Sequence, residues 1–167
     1  MDKIWAPWRV KYIREIKKTR GCIFCRIFKE KKDDRNYVII RSATSFAVLN
    51  IYPYNSGHTL IVPNRHVDCL SKLERDERND LMDLLDEVQE LIEKILKPQG
   101  FNIGINLGRS AGAGYPRHLH IHIVPRWRGD ANFMPVIGHT KVLSQSLRAL
   151  HTELKHAHQK RLRTTRK

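Results

Sequence analysis

No stretch of the chain approaches the roughly 20 uninterrupted apolar residues that a membrane-spanning helix needs, so no membrane segment is expected among its 167 residues. Residues 1–13 are basic but carry no apolar core followed by a small-residue cleavage site, so they do not read as a secretory signal, and a cytoplasmic protein is expected. Cysteine is scarce. There are three, two of them as Cys22-x-x-Cys25, which is no disulfide framework at this size but suits metal or redox chemistry in a reducing compartment. Cys69 is left over in an apolar-flanked segment and reads as a buried thiol. Acidic residues are also short, 17 against 31 Lys and Arg, for a net charge of +14. A field of that sign concentrates phosphates and other anions. Nucleic-acid binders share it, yet six of the cations lie within residues 155–167, which hold no acid and read as a solvated tail. No aromatic-rich RNA motif or zinc-finger histidine spacing accompanies the charge, so specific nucleic-acid binding is not expected.

What is present fits one domain with a real core. Trp5 and Trp8 make residues 1–20 too aromatic for a disordered arm, so this segment is expected to pack on the domain or on a partner subunit. Residues 21–154 form the expected domain, and 155–167 the basic tail. Short β-branched runs predict strands over 37–40, 45–50 and 58–62, the last ended by Pro63, with a charged loop over 30–35. Leu81, Leu84, Leu85, Val88, Leu91, Ile92, Ile95 and Leu96 recur at helical steps until Pro98 and Gly100 stop them. Residues 101–106 and 118–124 return to strand alternation, and Leu143, Leu147, Leu150 and Leu154 predict a final helix over about 142–162. The class is α+β with mostly antiparallel strands.

His118-Leu119-His120-Ile121-His122-Ile123 carries three imidazoles at period two, which places all three on one strand face and the aliphatics on the other. Crowded imidazoles with no metal or anion to hold would only depress one another's pKa. Residues 108–114, containing Arg109, Ser110, Gly112 and Gly114, are rich in small residues whose N–H groups either wrap an anion or form a plain turn. Three residues separate this loop from the histidines.

Gly57-His58 after a turn, followed by Arg117-His118-Leu119-His120-Ile121-His122-Ile123-Val124-Pro125-Arg126, resembles the histidine-triad family over about residues 22–127. The resemblance implies an α+β fold with a five-stranded antiparallel sheet, a homodimer, and hydrolysis or transfer at the α-phosphate of nucleotides. It assigns His120 as the nucleophile that forms a nucleotidyl-histidine. His122 and His58 become the phosphate-contacting histidines, and Asn50, eight residues before His58, the ribose contact. Asn106, Arg109, Ser110, Gly112 and Gly114 are further candidate nucleotide or phosphate contacts. Trp5-Ala6-Pro7-Trp8-Arg9 and residues 101–108 are most similar to a bacterial branch that contains diadenosine tetraphosphate phosphorylases. Gly114, Tyr115, Pro116 and Arg117 occupy the stretch where many members carry an acceptor-orienting glutamine, a departure that favours inorganic phosphate over water as acceptor. Two other readings remain: hydrolysis of nucleoside phosphoramidates or other mononucleotide conjugates, and a module in which the triad only binds nucleotide or nucleic acid.

Cys22-x-x-Cys25 supplies two ligands of a tetrahedral zinc site, with His66 a candidate third. In zinc-containing relatives the first triad histidine completes the set, which implies one structural zinc per chain on Cys22, Cys25, His66 and His118. A redox role for the pair is disfavoured on the reading that no helix start lies there to lower a thiol pKa.

Overall fold

The computed structural model describes residues 21–130 and 145–165. Trp5, Trp8 and the rest of the expected N-terminal packing segment lie outside them, as does Leu143 of the expected final helix. Five strands, β1 (Val38–Arg41), β2 (Ser45–Leu49), β3 (Thr59–Pro63), β4 (Gly100–Ile105) and β5 (Ile121–Arg126), form one sheet in the order β1-β2-β3-β5-β4. Every neighbouring pair is antiparallel, as expected. The helices are α1 (Ile23–Glu30), α2 (Asp33–Asn36), α3 (Arg75–Leu96) and α4 (Leu147–Thr165), with a 3-10 turn at Leu70–Lys72.

The central strands β2 and β3 are buried along their whole length, so each face of the sheet receives alternate side chains. Ala47, Leu49, Ile61, Ile121 and Ile123 join the core beneath α3. Phe46, Val48, Leu60 and Val62 point the other way, under Phe24 and Ile27 of α1. Leu81, Leu84, Leu85, Val88, Leu91 and Ile92 form the buried stripe of α3 that the periodicity predicted. A capping box between Glu74 and Glu77 starts that helix, and Lys97 in the left-handed region ends it before Pro98. Truncating a residue of the stripe such as Leu84 to Ala costs about 2–5 kcal/mol.

Several expectations need correction. Cys22 is the N-cap of α1, so a helix does begin at the cysteine pair; at 8 residues it is too short for its periodicity to stand out. Arg41 closes its C-terminal end by donating from Nη2 to the Ile27 carbonyl at 3.1 Å. The expected charged loop over 30–35 contains the start of α2, which carries Asp33 and Asp34 in its first turn. β5 begins at Ile121 because its pairing with β3 starts opposite Ile61; His118 to His120 precede it as a bend held by Leu119 N–H on the Val67 carbonyl. Face alternation survives there, with Leu119 in the α3 core. α4 starts at Leu147 and runs to Thr165, so the described part of the basic tail is helical. Cys69 is only half-buried, with Sγ 3.2 Å from Ser71 Oγ.

Candidate functional site

His118 and His120 are both buried, two residues apart and on one face, yet their rings are held in opposite tautomers. A carbonyl can only accept, so the ring nitrogen facing it carries the proton. His118 donates from Nε2 to the Pro63 carbonyl at 2.9 Å, which leaves its Nδ1 as a lone pair. His120 donates from Nδ1 to the His118 carbonyl at 2.8 Å, which leaves Nε2 as the lone pair. Burial pushes the His118 pKa down to about 4, partly opposed by the bond to Pro63. Burial likewise lowers that of His120, against the bond to His118. Both rings are therefore neutral near pH 7.

The free Nδ1 of His118 faces the helix start at α1. It lies 3.2 Å from Cys22 Sγ, 3.7 Å from Cys25 Sγ and 3.2 Å from His66 Nδ1. Cys25 Sγ and His66 Nδ1 are also 3.2 Å apart. All four ligand atoms fall within 4.8 Å of one another, so this cluster could hold a metal ion. Two sulfurs and two imidazole nitrogens at such spacings fit a tetrahedral centre with bonds of about 2.0–2.3 Å. Burial and the neighbouring Cys22 push the Cys25 thiol up when no cation is present. That direction argues against a reactive redox thiolate, even though α1 begins here.

The remaining imidazoles form a relay. The Tyr54 backbone N–H donates to His58 Nδ1 at 3.0 Å, so His58 carries its proton on Nε2. That nitrogen lies 2.9 Å from His122 Nδ1 and donates to it, which puts the His122 proton on Nε2. The His120 and His122 ring centroids are 5.0 Å apart. Tyr54 stacks on His58 at 4.7 Å. The turn that positions Tyr54 and His58 is pinned by buried Asn55, whose Nδ2 donates to the Pro125 carbonyl at 3.0 Å and to Asp130 Oδ2 at 2.8 Å. Gly57 sits at φ +79°, and a Cβ there would meet Leu96 Cδ1 at 2.6 Å and Pro125 Cγ at 3.0 Å. Only glycine fits that turn without displacement.

Beside the histidines lies a cavity of about 410 Å³, walled by Phe24, Ile27, Val48, Ile51, Leu60 and Tyr115, with Asn50 at its polar edge. The Phe24 ring is 5.2 Å from that of His120, and Leu60 pairs with His122 across the sheet. Asn50 Nδ2 lies 3.4 Å from His58 Nδ1, while Oδ1 accepts from the Tyr52 N–H. These apolar walls were not singled out from the sequence. Phe24 and Ile27 recur about one helical turn apart, but their three-residue spacing carries meaning only once α1 lies across the sheet.

The loop over 108–114 is less open than a nest. Gly112 N–H donates to the Arg109 carbonyl at 3.0 Å and Ala113 N–H to the Gly108 carbonyl at 3.3 Å, so these two amides are committed to the loop's own turn. Arg109 and Ser110 are exposed, and Asn106 is half-buried just after β4. Tyr115, next to the loop, donates its hydroxyl to the Gly21 carbonyl and thereby ties the loop to the start of α1.

The HIT domain model matches residues 31–129, and the chain belongs to that family. It is 40% identical over 155 residues to the AP-4-A phosphorylase of Mycobacterium tuberculosis, covering 89% of this chain and 80% of that protein. It is 40% identical over 93 residues to the asymmetrical bis(5'-nucleosyl)-tetraphosphatase of Schizosaccharomyces pombe, covering 56% of this chain and 50% of that one. Among solved structures, a hypothetical histidine triad nucleotide-binding protein from Sulfolobus tokodaii superposes with a TM-score of 0.67 at 28% identity, covering 81% of this chain and 91% of that one. These relatives support an enzyme of the HIT family.

Proposed function

We propose that this protein transfers a nucleotidyl group from a dinucleoside polyphosphate, with diadenosine tetraphosphate as the substrate, through a covalent intermediate on His120. The observation that carries the reading is the His120 tautomer: its Nδ1 proton is committed to the His118 carbonyl, so a neutral Nε2 lone pair is presented beside the nucleotide-sized cavity. In the first step this lone pair attacks the α-phosphorus, the bond to the bridging oxygen breaks, and the remaining phosphates leave with the electron pair. The cavity walled by Phe24, Ile27 and Val48 takes the base, and Asn50 lies at the ribose edge. His122, whose Nε2 proton follows from the relay through His58, donates to the transferring phosphoryl group and stabilises its developing charge. In the second step an acceptor oxygen attacks the same phosphorus, the P–N bond breaks, and the lone pair returns to His120. Asn106, Arg109, Ser110 and Gly114 remain the proposed contacts to the phosphate chain, and Gly112 would join them only by giving up its bond to the Arg109 carbonyl.

The acceptor is phosphate in this reading, supported by the missing glutamine before the triad and by the mycobacterial phosphorylase. Water is the second reading, favoured by the yeast relative named a tetraphosphatase. A panel of nucleotide conjugates run with and without inorganic phosphate separates them. ADP formed only with phosphate supports phosphorolysis, AMP formed regardless supports hydrolysis, and no turnover of any conjugate would overturn both.

The four-residue cluster holds one structural zinc in this proposal, on Cys22, Cys25, His66 and His118. Bound there, the ion would serve as a cross-link rather than a reactant. The protein side of that link joins the start of α1, the segment after β3 and the bend before β5. That bend carries the His118 carbonyl on which His120 depends. A cytoplasmic homodimer completes the proposal, since β4 is a sheet edge with Ile103 45% exposed. No helix among the described residues is long and apolar enough to cross a membrane.

A further inference from the structure

A second cavity, of about 700 Å³, lies between α2 and α4, within the size range of small-molecule sites. None of the triad or cluster residues lines it. Its walls include three cations, Arg35, Arg148 and Lys155, against a single carboxylate, Asp34. Lys155 Nζ is 2.5 Å from Asp34 Oδ1, so that pair neutralises itself. Among the described residues neither Arg35 nor Arg148 meets a carboxylate. Two exposed guanidinium groups therefore bring unbalanced charge to this open cavity. Arg148 and Lys155 are seven residues, or two turns, apart on α4, which sets them roughly 10 Å apart along the helix axis.

The wall opposite α4 is equally informative. Arg35 and Tyr37 line both this cavity and the one beside the histidines, so the two stand on either side of one partition. Tyr37 holds that position at φ 58°, in the left-handed region, with its ring edge-on to His151 at 5.6 Å. His151 in turn donates from Nε2 to the Val38 carbonyl at 2.9 Å, which fixes the floor. The Tyr37 ring is thus engaged in packing and offers no open stacking platform of the kind that single-stranded nucleic acid uses.

We propose that this cavity between α2 and α4 is a second ligand site, for a small molecule bearing two or more linked phosphates. Guanidinium forks match phosphate oxygens in pairs, and the excess of two positive charges complements an oligophosphate better than a single carboxylate. The site lies outside the catalytic machinery and stands whether or not the histidines transfer nucleotides.

The test is calorimetric titration of the full-length protein with inorganic tripolyphosphate, in excess AMP to fill the first cavity. Arg35→Gln/Arg148→Gln is compared with wild type, with thermal melting as the check on folding. One tripolyphosphate per chain is expected in the wild type, bound roughly tenfold more weakly by the double variant. Should the double variant not fold, Arg148→Gln alone touches only an exposed side chain and is expected to weaken binding at least about threefold. A parallel titration with ATP identifies the source of the phosphates: tighter binding than tripolyphosphate assigns a nucleoside polyphosphate, and equal or weaker binding an inorganic oligophosphate. Affinity unchanged in both variants, no binding at all, or binding of a single-stranded RNA oligomer alone would overturn the proposal.

Discussion

His118 and His120 are the same residue type two positions apart, both buried on one face, and their rings are held in opposite tautomers. One gives its Nε2 proton to the Pro63 carbonyl and turns Nδ1 toward two sulfurs and an imidazole. The other gives its Nδ1 proton to the His118 carbonyl and keeps Nε2 as its lone pair, on a ring 5.2 Å from that of Phe24 in the cavity wall. The difference lies in which carbonyl each ring meets. Hydrogen-bond partners decide which nitrogen keeps its lone pair, and in the proposed function that choice separates a metal ligand from a nucleophile.

The comparison breaks most sharply at His120. With its Nε2 removed in His120→Ala, turnover is expected to fall by on the order of 10⁴-fold or more, and no radiolabelled nucleotidyl-protein should survive acid-free denaturation. Retention of most of the wild-type rate would show that another imidazole attacks. Cys22→Ser/Cys25→Ser tests the other end. About one zinc per chain in fresh wild-type protein and none in the variant is expected by metal analysis. The variant's midpoint of thermal unfolding should also drop by several degrees, since each kcal/mol moves it by about 2–4 °C in a domain of this size. Zinc-free wild-type protein of equal stability would sink the cross-link.

Gly57→Ala probes the relay between the two ends. The Cβ contact at 2.6 Å to Leu96 and the positive φ predict a loss of about 1–3 kcal/mol of stability. A roughly tenfold fall in kcat is expected with it, because His58 is the next residue and a displaced ring loses catalytic geometry. Wild-type kcat in a folded variant would mean that His58 is not a positioning partner of His122. The smallest effect concerns Asp130, whose carboxyl is held down to about 2 chiefly by the Arg126 guanidinium beside it, with Asn55 adding a donor. A carboxylate with a depressed pKa stabilises the fold above its unfolded value near 4, and that stability is lost as pH falls toward 2. Arg126 is 47% exposed, so the contribution is under about 1 kcal/mol. Denaturant titrations of Asp130→Asn and wild type should therefore converge between pH 4 and pH 2.

Much of this was legible in the residue pattern where a period is long or dense. The stripe of α3 and the alternation through Leu119, Ile121 and Ile123 were readable because burial repeats along them. α1 was not, since 8 residues between a cysteine pair and a charged run give too few turns to display a face. The strand ends shifted for another reason: His118 and His120 alternate like strand residues, but pairing with β3 begins only at Ile121. The loop over 108–114 could be read as an anion nest or as a plain turn, and only its folded form reveals that Gly112 and Ala113 spend their N–H groups on Arg109 and Gly108.

Sequence by itself determined the chemistry on offer, namely three imidazoles on one face, a cysteine pair and a conformationally free Gly57 before His58, because residue type and spacing are local properties. Tertiary structure alone decided how those groups divide. Cys22 and Cys25 come within 3.7 Å of His118 across more than ninety residues of chain, the Pro63 and His118 carbonyls choose the tautomers, and α1 closes an apolar cavity over β2 and β3. Each of these depends on a contact between segments that no local pattern encodes, since a ring's protonated nitrogen is set by whichever carbonyl the fold places against it.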